Sequence, residues 1–165
     1  MKRFLLFTVV ALLGFGVQAQ DGFKAGINLG LPIGDAGDLA TFSIVVDLGY
    51  HFEVSDSFSA GIVTGYSHSF GDELDLGPLG SVDVDDIQFI PLAAAGRLAL
   101  SDEFSLGVDL GYAIGVNDGN DGGFYYAPRI QYGVSDGLDI VGAYRGVSVS
   151  GGSFDIITLG VEFGF

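Results

Sequence analysis

The chain has 165 residues, 48% of them hydrophobic, with 28 glycines, no cysteine or tryptophan, and a formal net charge of −15. Such acidity argues against nucleic acid as a partner, because a phosphate backbone is bound through lysine and arginine. The lack of cysteine removes disulfide staples, thiol catalysis and cysteine-based zinc sites.

Residues 1–19 begin with Lys2 and Arg3, continue through an apolar core from Phe4 to Val17, and end on the small-x-small sequence Val17-Gln18-Ala19. This is the layout of a cleavable export signal. The alternative, an uncleaved membrane anchor, would need about 20 apolar residues, and this run is shorter. Cleavage after Ala19 leaves a single domain, residues 20–165, with four cations (Lys24, Arg97, Arg129 and Arg145) against all 21 acids, a formal charge of −17. No later apolar run is long enough for a spanning helix, so membrane insertion would have to use strands.

Alternation with a period of two runs through the rest of the chain. In 40–53, Phe42, Ile44, Val46, Leu48, Tyr50 and Phe52 interleave with Ser43, Val45, Asp47, Gly49 and His51. In 104–115, Phe104, Leu106, Val108, Leu110, Tyr112 and Ile114 alternate with Ser105, Gly107, Asp109, Gly111, Ala113 and Gly115. Strands with lipid on one face and a lumen on the other carry this pattern. Eight strands are predicted, at 22–31, 40–53, 58–70, 87–100, 104–115, 124–134, 138–147 and 154–165.

Three five-residue segments repeat one turn pattern: Val54-Ser55-Asp56-Ser57-Phe58, Leu100-Ser101-Asp102-Glu103-Phe104 and Val134-Ser135-Asp136-Gly137-Leu138. Each predicts a tight hairpin. Longer Gly- and Asp-rich segments (Pro32–Leu39, Gly71–Asp86, Val116–Gly123 and Ser148–Ser153) predict loops at the opposite end. Short turns at one end and long loops at the other is the asymmetry of a transmembrane barrel.

A water-soluble β-sandwich would share some of this alternation, and charge placement separates the two. With outward parity set by the large apolar residues, Lys24, Asp47, Arg97, Asp109, Arg129, Asp139, Arg145 and Glu162 all take the inward parity. Random placement gives that about once in 250 trials. Charge on a lipid face is costly at mid-membrane. Aromatics gather toward both strand ends, as two interfacial girdles would. Pro91 and Pro128 fall inside strands, and Phe89 and Ile90 cannot both face lipid without a bulge, so irregularity is expected there.

The last strand, Thr158 to Phe165, with alternating Leu159, Val161 and Phe163 and a terminal Phe165, resembles the C-terminal signature of outer-membrane β-barrels. With the export signal and the strand count, the chain resembles the small eight-stranded outer-membrane family that includes OmpA-type and OmpX-type barrels. The resemblance implies an all-β, antiparallel, up-and-down barrel with short periplasmic turns and longer extracellular loops. It also implies export to the outer membrane of a Gram-negative bacterium. Leu159, Val161, Phe163 and Phe165 would be read by the barrel-assembly machinery, and the surrounding partner would be outer-membrane lipid.

An eight-stranded barrel is only wide enough for its own side chains. Along the strands, Asp47, Asp109, Arg129 and Arg145 fall near mid-depth, and Lys24, Arg97, Asp139 and Glu162 fall nearer the periplasmic end. Two balanced layers are expected, filling a lumen of glycine, serine and charge and leaving no charge alone. Gly61, Gly65, Gly107 and Gly111 on lumen faces keep a narrow porin or a transporter of small molecules or hydrophobic compounds as the alternative.

No enzyme site is expected. Ser67-His68-Ser69 holds a nucleophile and a base, but adjacent strand residues point to opposite faces, which separates His68 from both serines. His68 reads as an interfacial residue and His51 as a lumen filler. No cofactor is called for. Asp118, Asn120 and Asp121 offer oxygen ligands of the kind calcium takes, yet they lack a fixed binding-loop spacing, and such segments are usually solvated turns. The sequence therefore predicts a monomeric scaffold with acidic loops open to an extracellular ligand.

Overall fold

The computed structural model of the protein describes residues 22–75 and 80–165. The export-signal reading of residues 1–19 lies outside them. The period-two segments form strands because β-branched and aromatic residues suit a pleated backbone and alternate cleanly between two environments. In chain order the strands are β1 (Phe23–Ile33), β2 (Ala40–Ser55), β3 (Phe58–Gly71), β4 (Glu73–Asp75), β5 (Ser81–Asp83), β6 (Ile87–Ala99), β7 (Phe104–Gly115), β8 (Gly123–Ser135), β9 (Leu138–Val149) and β10 (Gly152–Gly164). The eight long strands pair in the order β1-β10-β9-β8-β7-β6-β3-β2 and close into one antiparallel barrel. The short β4 and β5 pair only with each other, within the long second loop.

Closure is made by β1 and β10, in register from Lys24↔Gly164 to Ile33↔Asp155. Every long strand thus has neighbours on both sides, which satisfies the backbone inside a hydrocarbon layer and leaves no edge. The outer face is apolar: Leu29 is 66% exposed and Leu159 65%, with Ile27, Ile62, Leu92 and Ile130 beside them. Tyr50, Phe52 and Tyr132 are exposed toward the short-turn end, and Phe42, Tyr112 and Phe124 toward the loop end.

Two of the predicted hairpins are two-residue turns, after β2 and after β8, each with a bulge on the preceding strand, at Glu53/Ser55 and Gly133/Ser135. Gly137 takes φ +76° there, a conformation that favours glycine. The third differs: four residues link β6 to β7, closed by Phe104 N donating to Ser101 Oγ at 3.0 Å.

Several expectations require correction. The fourth loop is a tight turn, because β9 and β10 continue to Val149 and Gly152, and Gly151 reverses the chain at φ +95°. No bulge occurs at Pro91 or Pro128. Pairing holds one register across each, from Thr64↔Leu92 to Ser67↔Phe89 and from Tyr126↔Gly146 to Arg129↔Ala143. Phe89 turns inward, buried, and Ile90 outward, so the alternation is regular and each proline removes only a ladder donor. Asp155 lies within β10 on the outward parity, where Tyr126 Oη donates to it at 3.2 Å. It is placed near the loop end, where an interfacial tyrosine can reach it.

The lumen is also more apolar than expected. Toward the loops it is filled by Val45, Phe89, Ala93, Ala113, Tyr125, Val147, Phe154 and Ile156, with the Phe89 and Phe154 rings 5.7 Å apart. The first loop forms a short 3-10 helix, Gly34–Asp38, that tucks Ala36 into this cluster.

Candidate functional site

The inward positions of all eight barrel strands converge on the axis, so charges distant in sequence meet there. Arg145 on β9 grips Asp47 on β2 with both terminal nitrogens, Nη2–Oδ2 at 2.6 Å and Nη1–Oδ1 at 2.9 Å. Arg129 on β8 donates to Asp109 on β7 at 2.6 Å and to Glu162 on β10 at 3.2 Å, and stands 3.9 Å from Asp47. Arg97 on β6 approaches the other oxygen of Asp109 at 2.7 Å. Lys24 on β1 bridges Glu162 at 3.3 Å and Asp139 on β9 at 2.9 Å.

These contacts join all eight residues, four cations and four anions, into one connected group. The two expected layers are joined into a single network: Arg97–Asp109 and Arg129–Glu162 cross between the levels, because guanidinium side chains are long enough to span them. Six members are almost wholly buried, Asp109 completely, whereas the Lys24 and Asp139 side chains keep 31% and 26% of their exposure. Charge-assisted bonds of this length are the strong kind, and removing one partner leaves its neighbours buried and uncompensated.

Neutral groups complete the coordination. Asn28 donates to Asp47 at 3.0 Å, Gln131 to Glu162 at 2.8 Å, and Arg145 reaches Thr158 and Tyr125 through its remaining donors. The charge count passed over these residues, although Asn28 shares the parity of Lys24 and Gln131 that of Arg129. Inward parity was the signal that would have found them. Gly107 makes room for the network: a Cβ there would lie 2.7 Å from Arg97 Cδ and 2.9 Å from Arg129 Cγ. The space behind that lumen glycine is occupied by arginine side chains. His51 is buried among the inward residues of β2, and neither ring nitrogen has a protein partner among the described residues.

Along the axis the lumen divides into four zones. A mouth of about 290 Å³ at the loop end is lined by Leu39, Ile87, Phe89, Phe154 and residues 117–122. Below it the apolar section holds a space of only about 20 Å³, bounded by Val45, Phe89, Phe154 and Ile156 and reaching Arg145. The ionic network follows. A second mouth of about 210 Å³ at the short-turn end is lined by Lys24, His51, Glu53, Arg97 and Gln131.

The other candidate residues lie outside this network. Ser67 and Ser69 face the lumen, where Ser69 shares a 2.6 Å hydrogen bond with Ser43; His68 faces outward, 3.0 Å from Asp86. Asp118 and Asp121 are exposed on the third loop. Asn120 is occupied in holding that loop: Nδ2 donates to Gln88 O at 3.0 Å, and Oδ1 accepts from Gly122 N at 3.1 Å. Among the described residues no three His, Asp or Glu side chains converge on a metal-sized site. Leu159 and Phe163 are exposed on the outer wall, and the Phe165 ring lies 5.9 Å from that of Phe23.

The fold is similar to that of the Yersinia pestis outer membrane protein Ail. Its structure in a bilayer nanodisc has a TM-score of 0.60 at 14% identity, with 88% of this chain and 100% of that one covered. The crystal structure of Ail gives 0.58 at 16% identity with the same coverage. A de novo designed transmembrane β-barrel gives 0.55 at 13%, covering 90% of this chain and all of that one. No curated protein matches the chain. The family described as outer membrane protein beta-barrel domain matches residues 6–165, and the chain belongs to that family.

Proposed function

We propose that the protein is a non-conducting scaffold of the outer membrane, a barrel with a closed lumen that holds acidic loops outside the cell. The observation that carries this reading is the filled axis: a connected group of eight charges beneath an apolar section with about 20 Å³ of free space. A solute crossing the barrel would have to displace buried side chains, either packed rings or paired charges, and both displacements are unfavourable. The reading is non-catalytic, supported by the outward placement of His68 away from Ser67 and Ser69. Export through residues 1–19, insertion by the assembly machinery through Leu159, Val161, Phe163 and Phe165, and a monomeric state belong to the same proposal.

Its loops would serve surface contact. Ail has been crystallised with the heparin analogue sucrose octasulfate. A polyanion of that kind suits this loop end poorly, because residues 34–39, 72–86 and 116–122 carry ten acids and no lysine or arginine.

The two mouths, about 290 and 210 Å³, are the feature that favours a narrow porin as the second reading. Liposome swelling separates the two. Vesicles holding the refolded protein should swell in iso-osmotic arabinose or glycine no faster than protein-free vesicles. Swelling that rises with protein content would replace the scaffold with the porin.

A further inference from the structure

The loop-end mouth lies on top of the apolar filling that closes the lumen and adds an acidic rim to it. Its floor is aromatic and aliphatic, with Phe89 on β6 and Phe154 on β10 flanked by Ile87. Its rim is acidic, with Asp118 and Asp121 exposed on the third loop and no ion-pair partner for either among the described residues. The rim is also held in place. Asn117 Oδ1 accepts from Gln88 N at 3.0 Å, Asn120 Nδ2 donates to Gln88 O at 3.0 Å, and the Tyr112 hydroxyl donates to Asp121 O at 3.0 Å. Gly122, at φ +72°, lets the loop fold back over β7 where a Cβ would strike Ala113 O.

Apolar surface at the base of a cleft with a few fixed polar groups at its edge is the common form of a small-ligand site. Leu39 and Ile87 open onto the mouth above the nearly buried Phe89 and Phe154 and give an apolar body a surface to cover, while the carboxylates at the rim favour a positive charge beside it. The surrounding loop end supplies ten acids with no lysine or arginine, a field that concentrates cations and repels anions. We propose that this mouth binds a small organic cation, an ammonium group attached to an apolar body, with the body over Phe89 and Phe154 and the charge toward Asp118 and Asp121. This proposal deepens the surface-contact reading and is independent of whether the lumen conducts.

The test uses the refolded protein in zwitterionic phosphatidylcholine nanodiscs and benzyltrimethylammonium as the probe, followed by calorimetry. Saturable one-site binding is expected, at least about tenfold tighter than that of tetramethylammonium, which lacks the apolar body, or of neutral benzyl alcohol, which lacks the charge. Asp118→Asn with Asp121→Asn should weaken binding by about fivefold or more, as loss of two exposed carboxylates allows. Phe154→Leu keeps an apolar floor and should change binding of the cation and of benzyl alcohol alike, since the charge lies at the rim. Folding of each variant is checked by its heat-modifiable shift on gels. Absence of saturable binding, equal binding of benzyl alcohol, or insensitivity to the Asp118/Asp121 change overturns the proposal. Displacement by calcium at matched ionic strength also overturns it, in favour of a metal site. None of these outcomes bears on lumen conduction, which liposome swelling reads separately.

Discussion

The two halves of the lumen solve one problem by different chemistry. Toward the loops, Phe89, Phe154, Ile156 and Val147 fill the barrel as a protein core would, by packing. Toward the short turns, Arg97, Asp109, Arg129, Arg145, Asp47 and Glu162 fill it by pairing, with the guanidinium groups serving both as volume and as charge. An apolar filling tolerates truncation in proportion to the volume removed. An ionic filling tolerates it badly, because each lost partner strands another charge. Truncation should therefore cost more in the paired half.

The largest effect expected from that difference is at Arg129, which contacts Asp109, Glu162 and Asp47 together. Arg129→Ala should lower stability by about 3–5 kcal/mol, read from urea unfolding in phospholipid vesicles. An unchanged unfolding midpoint would show that the contacts contribute no net stability. Phe154→Ala, the matching truncation in the packed half, should lose about 3 kcal/mol, the lower end for a buried ring because it borders the open mouth. A loss larger than that of Arg129→Ala would reverse the comparison.

Gly107→Ala tests the ionic half from the opposite direction, by adding a methyl group where Arg97 and Arg129 already fill the space. It should destabilise by about 1–3 kcal/mol in the same unfolding assay. If it is neutral, that region of the lumen is looser than the contacts indicate. The smallest effect belongs to Lys24, whose side chain keeps 31% of its exposure at the edge of the network. Lys24→Ala should change stability by about 1 kcal/mol or less, since solvent reaches Lys24 and Asp139, and Glu162 keeps its bonds from Arg129 and Gln131.

The same division explains what was legible in the sequence. Alternation and turn residues mark the eight strands to within two residues of their observed ends, and because charge is rarely tolerated on a lipid face, Asp47, Arg129 and Glu162 declare their side through parity alone. Phe89, Phe154 and Ile156 are acceptable to either lipid or a packed interior, so their inward placement could not be distinguished by residue type. That ambiguity produced the expected bulge at Phe89 and Ile90, which the structure does not contain. Asp155 shows the converse: an outward charge is stable near the interface when Tyr126 bonds to it, and strand parity carries no measure of depth. Pairing partners across the lumen were illegible as well, since Arg145 and Asp47 are 98 positions apart and only barrel closure brings them together.

Both halves bear on the claim that the lumen is closed, and single-channel recording of the refolded wild-type protein in planar bilayers addresses it most directly. The account predicts a silent membrane in molar potassium chloride, with current no greater than that of the bare bilayer at any applied voltage. Reproducible stepwise openings that scale with protein added would contradict it.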